Sequence, residues 1–481
     1  MRSRFRVFDA ILKKISKGQN QMNVYDLIVI GAGPGGYIAA IRGSELGLKT
    51  AIVEKDSLGG VCLNVGCIPS KSLLKNAELV RTLRKESETF GIRASDLSFD
   101  YAAAVDRSRK VSKRLNQGVA FLMKKNKIDV YNGKASFMDP KHVRVSLNSG
   151  EEEFLEAADF IIATGTVPTE LKGMEFDGER ILNYRQAILQ TKLPNSVVII
   201  GGGAIGVEFA TIWSAYGSAV TVVEMQPNLL PNEDPEAGRE LERSFKKQGI
   251  DVKTGTRLKS IDKVPDGVMI YLINEKGESE VSAQQVLIAV GFRPNPAELN
   301  LEAAGVKTTE RGWIDCDPFG KTAADHIYAV GDITGKILLA HSAMTMGRIA
   351  AEQIGGLITE PLNLDLVPHC TFSFPQVASF GLTEASADAR KIKIKAGKST
   401  FLANGKALGM NENEGWIKLI CDATDHRILG ATMIGAEVCE LLPELTLAAT
   451  KQLTAEDILM NIHAHPTLSE GISEAAGTLL I

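Results

Sequence analysis

Two stretches decide the fold: Ile30-Gly31-Ala32-Gly33-Pro34-Gly35-Gly36 near the start of the chain and Ile200-Gly201-Gly202-Gly203-Ala204-Ile205-Gly206 near its middle. Each sets Gly-x-Gly-x-x-Gly directly after an apolar run, residues 26–30 and 197–200, that reads as a buried strand. In each, an acid (Glu54 or Glu224) follows the first glycine by 23 residues, and the two copies are offset by 170. A strand, a glycine turn, a helix and a second strand closed by an acid form the βαβ unit that binds a dinucleotide. The first glycine, Gly31 or Gly201, permits the tight turn. The second, Gly33 or Gly203, lets a pyrophosphate approach the helix N-terminus, and the third, Gly36 or Gly206, lets helix pack on strand. As an internal repeat the two copies imply two dinucleotides, one per domain. Glu54 and Glu224 would each accept hydrogen bonds from an adenosine ribose. At the second site Glu224 also repels the 2′-phosphate of NADP, and Met225-Gln226-Pro227-Asn228 offers no arginine, so NAD is favoured there. The competing reading is a solvated surface glutamate.

The rest of the chain agrees with a soluble α/β protein of several domains. Its 481 residues allow about three domains. Hydrophobic residues at 44% and charged residues at 23% exclude disordered and fibrous classes. A net charge of −4 argues against a nucleic-acid partner, and no apolar run reaches the ~18 residues of a membrane span. Further buried-type strands are expected at 51–54, 220–224, 286–290 and 327–330. After about residue 363 the texture changes: 415–421 and 428–434 read as antiparallel strands followed by a helical run over 441–453, without a third fingerprint. Residues 1–21 carry six basic side chains and one acid, with Phe5, Phe8, Leu12 and Ile15 at helical spacing. A targeting or surface-binding helix fits this stretch; an upstream start or a mobile tail ahead of Met22 is the simpler expectation.

Six cysteines are too few for a disulfide scaffold, and a reducing compartment is the default. Cys62 and Cys67, in Gly59-Gly60-Val61-Cys62-Leu63-Asn64-Val65-Gly66-Cys67-Ile68-Pro69-Ser70-Lys71, therefore read as chemical. Residues five apart rise ~7.5 Å on an ideal helix and sit on different faces, so a bridge needs a distorted turn, which Gly66 would ease. A redox pair is favoured over a metal site, which wants more Cys or His nearby, and over two buried thiols. In His463-Ala464-His465-Pro466-Thr467-Leu468-Ser469-Glu470 two readings weigh equally. Thr467 and Glu470 match a helix capping box, and His465 with Glu470 matches an oriented general base.

Taken together, residues 59–71, Ala163-Thr164-Gly165, 201–208, 289–295, 328–332 and 463–470 resemble the disulfide-reductase flavoenzymes, the class I pyridine nucleotide-disulfide oxidoreductases. Within that family the similarity is greatest to the enzymes that reoxidise dihydrolipoamide with NAD. The resemblance implies an α/β fold of two Rossmann-like dinucleotide-binding domains plus a C-terminal α+β dimerisation domain. FAD would bind residues 22–165 and 291–362, NAD residues 166–290, and residues 363–481 would form the homodimer interface. It further implies that Gly31, Gly33, Gly36, Glu54, Lys71, Thr164, Gly165 and Asp332 hold FAD, and that Gly201, Gly203, Gly206, Glu224 and Gly291 hold NAD. Cys62 and Cys67 would be the redox disulfide, Lys71 the lysine beside the flavin N5, Glu208 its ion-pair partner, and His465 with Glu470 the base. The implied partners are lipoyl domains of a 2-oxoacid dehydrogenase or glycine-cleavage complex, with no metal, in the cytoplasm or an organelle addressed by the basic extension. A reductase of another small disulfide and a chiefly structural subunit are the alternatives; the intact Cys62, Cys67, His465 and Glu470 set argues against the latter. Ser342 where the family often has Lys, Met346 where it usually has Glu, and Gln376 in place of Glu depart from the pattern.

Overall fold

The computed structural model describes residues 22–296 and 298–481, so the basic extension lies outside the described residues. Contacts divide the described chain into two units: 22–69, 109–168 and 292–362 in the first, and 70–108, 169–291 and 363–481 in the second.

The first unit is built on strand Asn23–Ile30, which pairs in parallel with Thr50–Glu54 on one side and Glu152–Ile162 on the other. Ile327–Ala329 extends the sheet in parallel beyond Glu152–Ile162. Asp129–Asp139, His142–Leu147 and Glu152–Ile162 form an antiparallel meander, so one chain segment serves both parallel and antiparallel neighbours. Leu27, Ile28, Val29 and Ile30 are buried on both faces, as a central parallel strand requires. Helix Pro34–Glu45 lies against helix Ala340–Ile354 with almost no side chain between them: a Cβ on Gly347 would come within 2.2 Å of the Gly35 carbonyl oxygen.

The second unit repeats the arrangement. Ser196–Ile200 pairs in parallel with Ala219–Val223 and Gln285–Ile288, in a five-stranded sheet completed by Asp251–Lys253 and Ile181–Leu182. A three-stranded antiparallel sheet, Arg257–Val264, Gly267–Asn274 and Gly277–Ala283, follows. The C-terminal part is a five-stranded antiparallel sheet in which Trp416–Asp422 and Ile428–Gly435 are central. Ile417, Leu419, Ala431 and Met433 of those strands are buried against Ile472 and Ala475 of helix Glu470–Leu479. The expected helical run is a 3₁₀ turn, Val438–Leu441, continued by helix Leu442–Thr450. Among the described residues no helix is long and apolar enough to cross a membrane.

Candidate active site

In the first unit Gly31 has φ +100°, and a Cβ on Gly36 would stand 1.8 Å from the Gly31 carbonyl oxygen. Gly33 meets nothing within 4 Å, so the space above the helix start is open. Glu54 is buried; its Oε2 accepts from the Ala32 amide at 2.7 Å and its Oε1 from the Asp56 amide at 2.8 Å. The second unit copies each feature. Gly201 has φ +112°, a Cβ on Gly206 would meet the Gly201 oxygen at 1.9 Å, and Gly203 is open. Glu224 is buried, and its two oxygens accept from the Gly202 and Gln226 amides, both at 2.7 Å. Neither acid is a solvated surface glutamate. Each oxygen spends one lone pair on the turn and keeps one for an incoming hydroxyl.

Around the first cradle, Gly165 has φ +66° and the buried Thr164 Oγ1 has no hydrogen-bond partner among the described residues. Ser342 Oγ is likewise buried without one, and Met346 packs into the core beside Leu27 and Val29. Asp332 sits in the turn Gly331–Thr334 and receives a long 3.4 Å bond from Thr166 Oγ1. Burial pushes its carboxyl up to about 6, only partly offset by that bond. In the second unit Gly291 has φ +109°.

The cysteine segment is tied to the first cradle. The Gly59 amide donates to the Ala32 oxygen at 2.8 Å, and a Cβ on Gly60 would lie 2.6 Å from the Gly33 Cα. Helix Gly60–Val65 ends at Gly66 (φ −135°, ψ −116°) and a new helix, Cys67–Arg81, begins at once. Cys62 and Cys67 therefore stand on either side of a break, not on one continuous helix. Three supports escaped the sequence reading. Asn64 Nδ2 donates to the Leu58 and Gly60 oxygens at 3.0 and 2.9 Å, Asn116 donates to Asn64 Oδ1 at 2.7 Å, and Arg109 donates to the Asn64 carbonyl. Tyr37 is also close: burial first, then the Cys62 and Cys67 sulfurs, hold its phenol above the usual range.

Lys71 follows Cys67 by one helical turn. Its Nζ donates to both oxygens of the buried Glu208, at 2.8 and 2.9 Å. Phe372, which no motif flagged, serves both partners: its amide donates to Glu208 Oε1 at 3.1 Å and its ring centroid lies 4.5 Å from Lys71 Nζ. Near the C-terminus, Glu470 satisfies both readings of its motif at once. Its Oε1 is 2.8 Å from His465 Nδ1 and its Oε2 accepts from the Thr467 amide at 2.8 Å. The Thr467 hydroxyl instead donates to the Ala464 carbonyl, so the capping box is half made. The Thr467 amide, then His465, keeps the Glu470 carboxyl below its ordinary range. The His465 side chain is 78% exposed, which leaves Nε2 open to a substrate.

Residues 25–347 match the pyridine nucleotide-disulphide oxidoreductase family and residues 367–476 match the dimerisation domain of the same oxidoreductases. A Mycobacterium leprae protein named dihydrolipoyl dehydrogenase is 47% identical over 457 residues, covering 94% of this chain and 97% of its own. A Chlorobaculum parvum protein of the same name is 45% identical over 453 residues, covering 94% and 96%. Among solved structures, LpdA from Mycobacterium tuberculosis superposes with a TM-score of 0.88 at 26% identity, covering 95% of this chain and 99% of that one. The flavoprotein disulfide reductase RclA from Escherichia coli gives 0.82 at 26% identity, covering 94% and 99%. With both of its cradles, its cysteine pair and nearly its whole length matched, this chain belongs to the pyridine nucleotide-disulphide oxidoreductase family.

Proposed function

We propose that the chain is a dihydrolipoyl dehydrogenase, oxidising lipoyl dithiols with NAD⁺. The observation that supports this most is that the Cys62/Cys67 segment is bonded directly to the first of two carboxylate-locked dinucleotide cradles. FAD fits the first: Gly33 leaves room, the orphaned Thr164 hydroxyl lacks a partner that a ligand can supply, and Gly31, Gly36, Glu54, Gly165 and Asp332 complete the contour, with Lys71 assigned to the ring. NAD fits the second, held by Gly201, Gly203, Gly206, Glu224 and Gly291. When bound, FAD accepts an electron pair from thiols and returns it as hydride to NAD⁺.

The chain's own residues do the rest. His465, oriented by Glu470, takes the proton of one lipoyl thiol. That thiolate attacks Cys62, forming a mixed disulfide and releasing Cys67 as thiolate from the Cys62–Cys67 bond. The second lipoyl thiol then displaces Cys62, and the oxidised lipoyl ring leaves. Lys71, fixed by Glu208, places a positive charge one turn past Cys67, where it favours the thiolate.

The chain acts as a homodimer in the cytoplasm and serves lipoyl domains of a 2-oxoacid dehydrogenase or glycine-cleavage complex. In this assembly His465 and Glu470 of the partner subunit face Cys62 and Cys67. Steady-state turnover of the holoprotein tests the substrate assignment. Dihydrolipoamide with NAD⁺ should exceed glutathione disulfide with NADPH in kcat/KM by at least ~10²-fold, and the reverse order would select the small-disulfide alternative. Complementation tests the shared site. Cys62→Ser and His465→Ala proteins, each nearly inactive, are unfolded and reassembled together. Random pairing puts about half the population into heterodimers, each with one intact site, so about a quarter of wild-type activity should return. No recovery in heterodimers verified by a mass tag would show that each site comes from one chain.

A further inference from the structure

Two cysteines outside this chemistry, Cys370 and Cys439, meet inside the second unit. Cys370 is the middle residue of strand His369–Thr371, which pairs antiparallel with Gln376–Gly381 in the register Cys370 to Ala378 and Thr371 to Val377. Cys439 lies in the turn Val438–Leu441 and is held over that same strand pair. Its amide donates to Gln376 Oε1 at 3.3 Å and its thiol points to the Val377 carbonyl oxygen at 3.9 Å. Both side chains pack on one apolar core, Cys439 buried and Cys370 partly so. Cys370 packs on the core that contains Cys439 and Ala378, its own cross-strand partner, so the two cysteines are neighbours and each perturbs the ionisation of the other. Two residues beyond Cys370, Phe372 carries the amide that holds Glu208 and the ring beneath Lys71.

The pair is chemically asymmetric. The neighbouring Cys439 thiol, aided by the Lys71 charge and opposed by burial, lowers the Cys370 thiol below its usual range. The Cys370 sulfur, then burial, raises that of Cys439, whose thiol is directed at the Val377 carbonyl. A thiolate-prone sulfur beside a thiol kept protonated is the arrangement of an attacking and a resolving cysteine. Packing alone would be served by any small apolar residue at either position.

We propose that Cys370 and Cys439 form a second redox pair, distinct from Cys62 and Cys67, which a hydroperoxide oxidises to a Cys370–Cys439 disulfide. The Cys370 thiolate attacks the peroxide O–O bond and takes up one oxygen as a sulfenic acid, while the other oxygen leaves and is protonated to water or alcohol. The Cys439 sulfur then displaces the hydroxyl as water and the S–S bond forms. In total the two thiols give up two electrons and two protons to the peroxide. A dithiol reverses the change by thiol–disulfide exchange. This inference does not depend on the lipoyl reading, because its readout is a covalent bond and not turnover.

Peptide mapping tests it on the full-length holoprotein, reduced, exposed to a small excess of hydrogen peroxide, alkylated with iodoacetamide and digested without reductant. Trypsin places Cys370 in peptide 349–390, Cys439 in 428–451, and both Cys62 and Cys67 in 56–71, so the two pairs report separately. The expected result is a cross-linked 349–390/428–451 species that dithiothreitol releases and Cys370→Ser eliminates. In Cys439→Ser the sulfenic acid should persist at Cys370 and be captured by dimedone. Recovery of Cys370 and Cys439 as alkylated thiols after peroxide has closed the 56–71 pair would overturn the proposal. So would oxidation of Cys370 to sulfinic acid in the wild-type protein without any cross-link. Both overturning results are read on the wild-type chain, so they stand even if a variant folds poorly.

Discussion

The first cradle locks Glu54 with the Ala32 and Asp56 amides; the second locks Glu224 with those of Gly202 and Gln226, and the four distances agree to within 0.1 Å. Behind that shared backbone the two units treat a buried acid in opposite ways. In the second, Glu208 on helix Ala204–Tyr216 is met by Lys71 at 2.8 Å and by the Phe372 amide at 3.1 Å. In the first, Asp332 has the long Thr166 bond alone among the described residues, and the helix after the glycines, Pro34–Glu45, has Ile38 at the position matching Glu208 and pairs its Arg42 with Glu352 at the far end. Glu208 is therefore satisfied within the chain, whereas Asp332 is left for a ligand to complete.

The sharpest way to break this comparison is to close each cradle in turn. Gly36→Ala and Gly206→Ala set a Cβ 1.8 and 1.9 Å from a backbone oxygen, which no side-chain movement relieves. Each should destabilise its own unit by about 3 kcal/mol or more. Gly36→Ala should purify without flavin. Gly206→Ala should keep its flavin colour and lose NAD binding, measured by absorbance and by nucleotide titration. Loss of flavin from Gly206→Ala would mean that the two cradles do not act independently.

What could be read from the chain in advance follows the same division. The strands flanking both fingerprints were expected at 26–30, 51–54 and 197–200 and lie within Asn23–Ile30, Thr50–Glu54 and Ser196–Ile200, because buried parallel strands are continuous apolar runs next to glycine. The hairpins between Arg257 and Ala283 gave no such signal: their exposed faces are rich in Lys, Glu and Ser, and their turns at Gly267 and Gly277 lie outside any chemical motif. Within the candidate site, residues that stand in a motif of their own, such as Cys62, Glu224 and His465, could be singled out from the sequence. Phe372, Arg109 and Asn116 were not, since each acts on a residue far away in sequence: Phe372 on Glu208, the other two on Asn64.

A smaller perturbation probes the satisfied acid. Glu208→Gln leaves the Lys71 ammonium facing a neutral amide and retains one oxygen for either Lys71 or Phe372. Lys71 is about one-third exposed, so solvent screens much of the loss, and about 1–3 kcal/mol is expected. If all of it fell on the transition state, the rate at which dihydrolipoamide reduces the holoprotein would fall by about 5- to 150-fold, with flavin content and the KM for NAD unchanged. A change in KM for NAD alone would assign Glu208 to the second cradle instead of to Lys71.

The smallest effect concerns the unsatisfied acid, and its sign is specific. Burial raises the Asp332 carboxyl from 3.8 to about 6 in the folded chain. Between those values the folded state keeps a proton that the unfolded state has released, so stability declines as pH rises through this window. Above about 6 the folded carboxyl ionises too, and the loss is complete. The full shift is worth about 3 kcal/mol at most, and water entering the flavin-free site reduces it to about 1–2 kcal/mol. Asp332→Asn keeps the shape and removes the ionisation. Urea unfolding of flavin-free wild type and variant at about pH 4 and about pH 7 should show wild type losing about 1–2 kcal/mol relative to Asp332→Asn on going to the higher pH. Parallel pH dependences for wild type and Asp332→Asn would mean that Asp332 is solvated well enough to ionise normally, and that it does not wait on a ligand as Glu208 relies on Lys71.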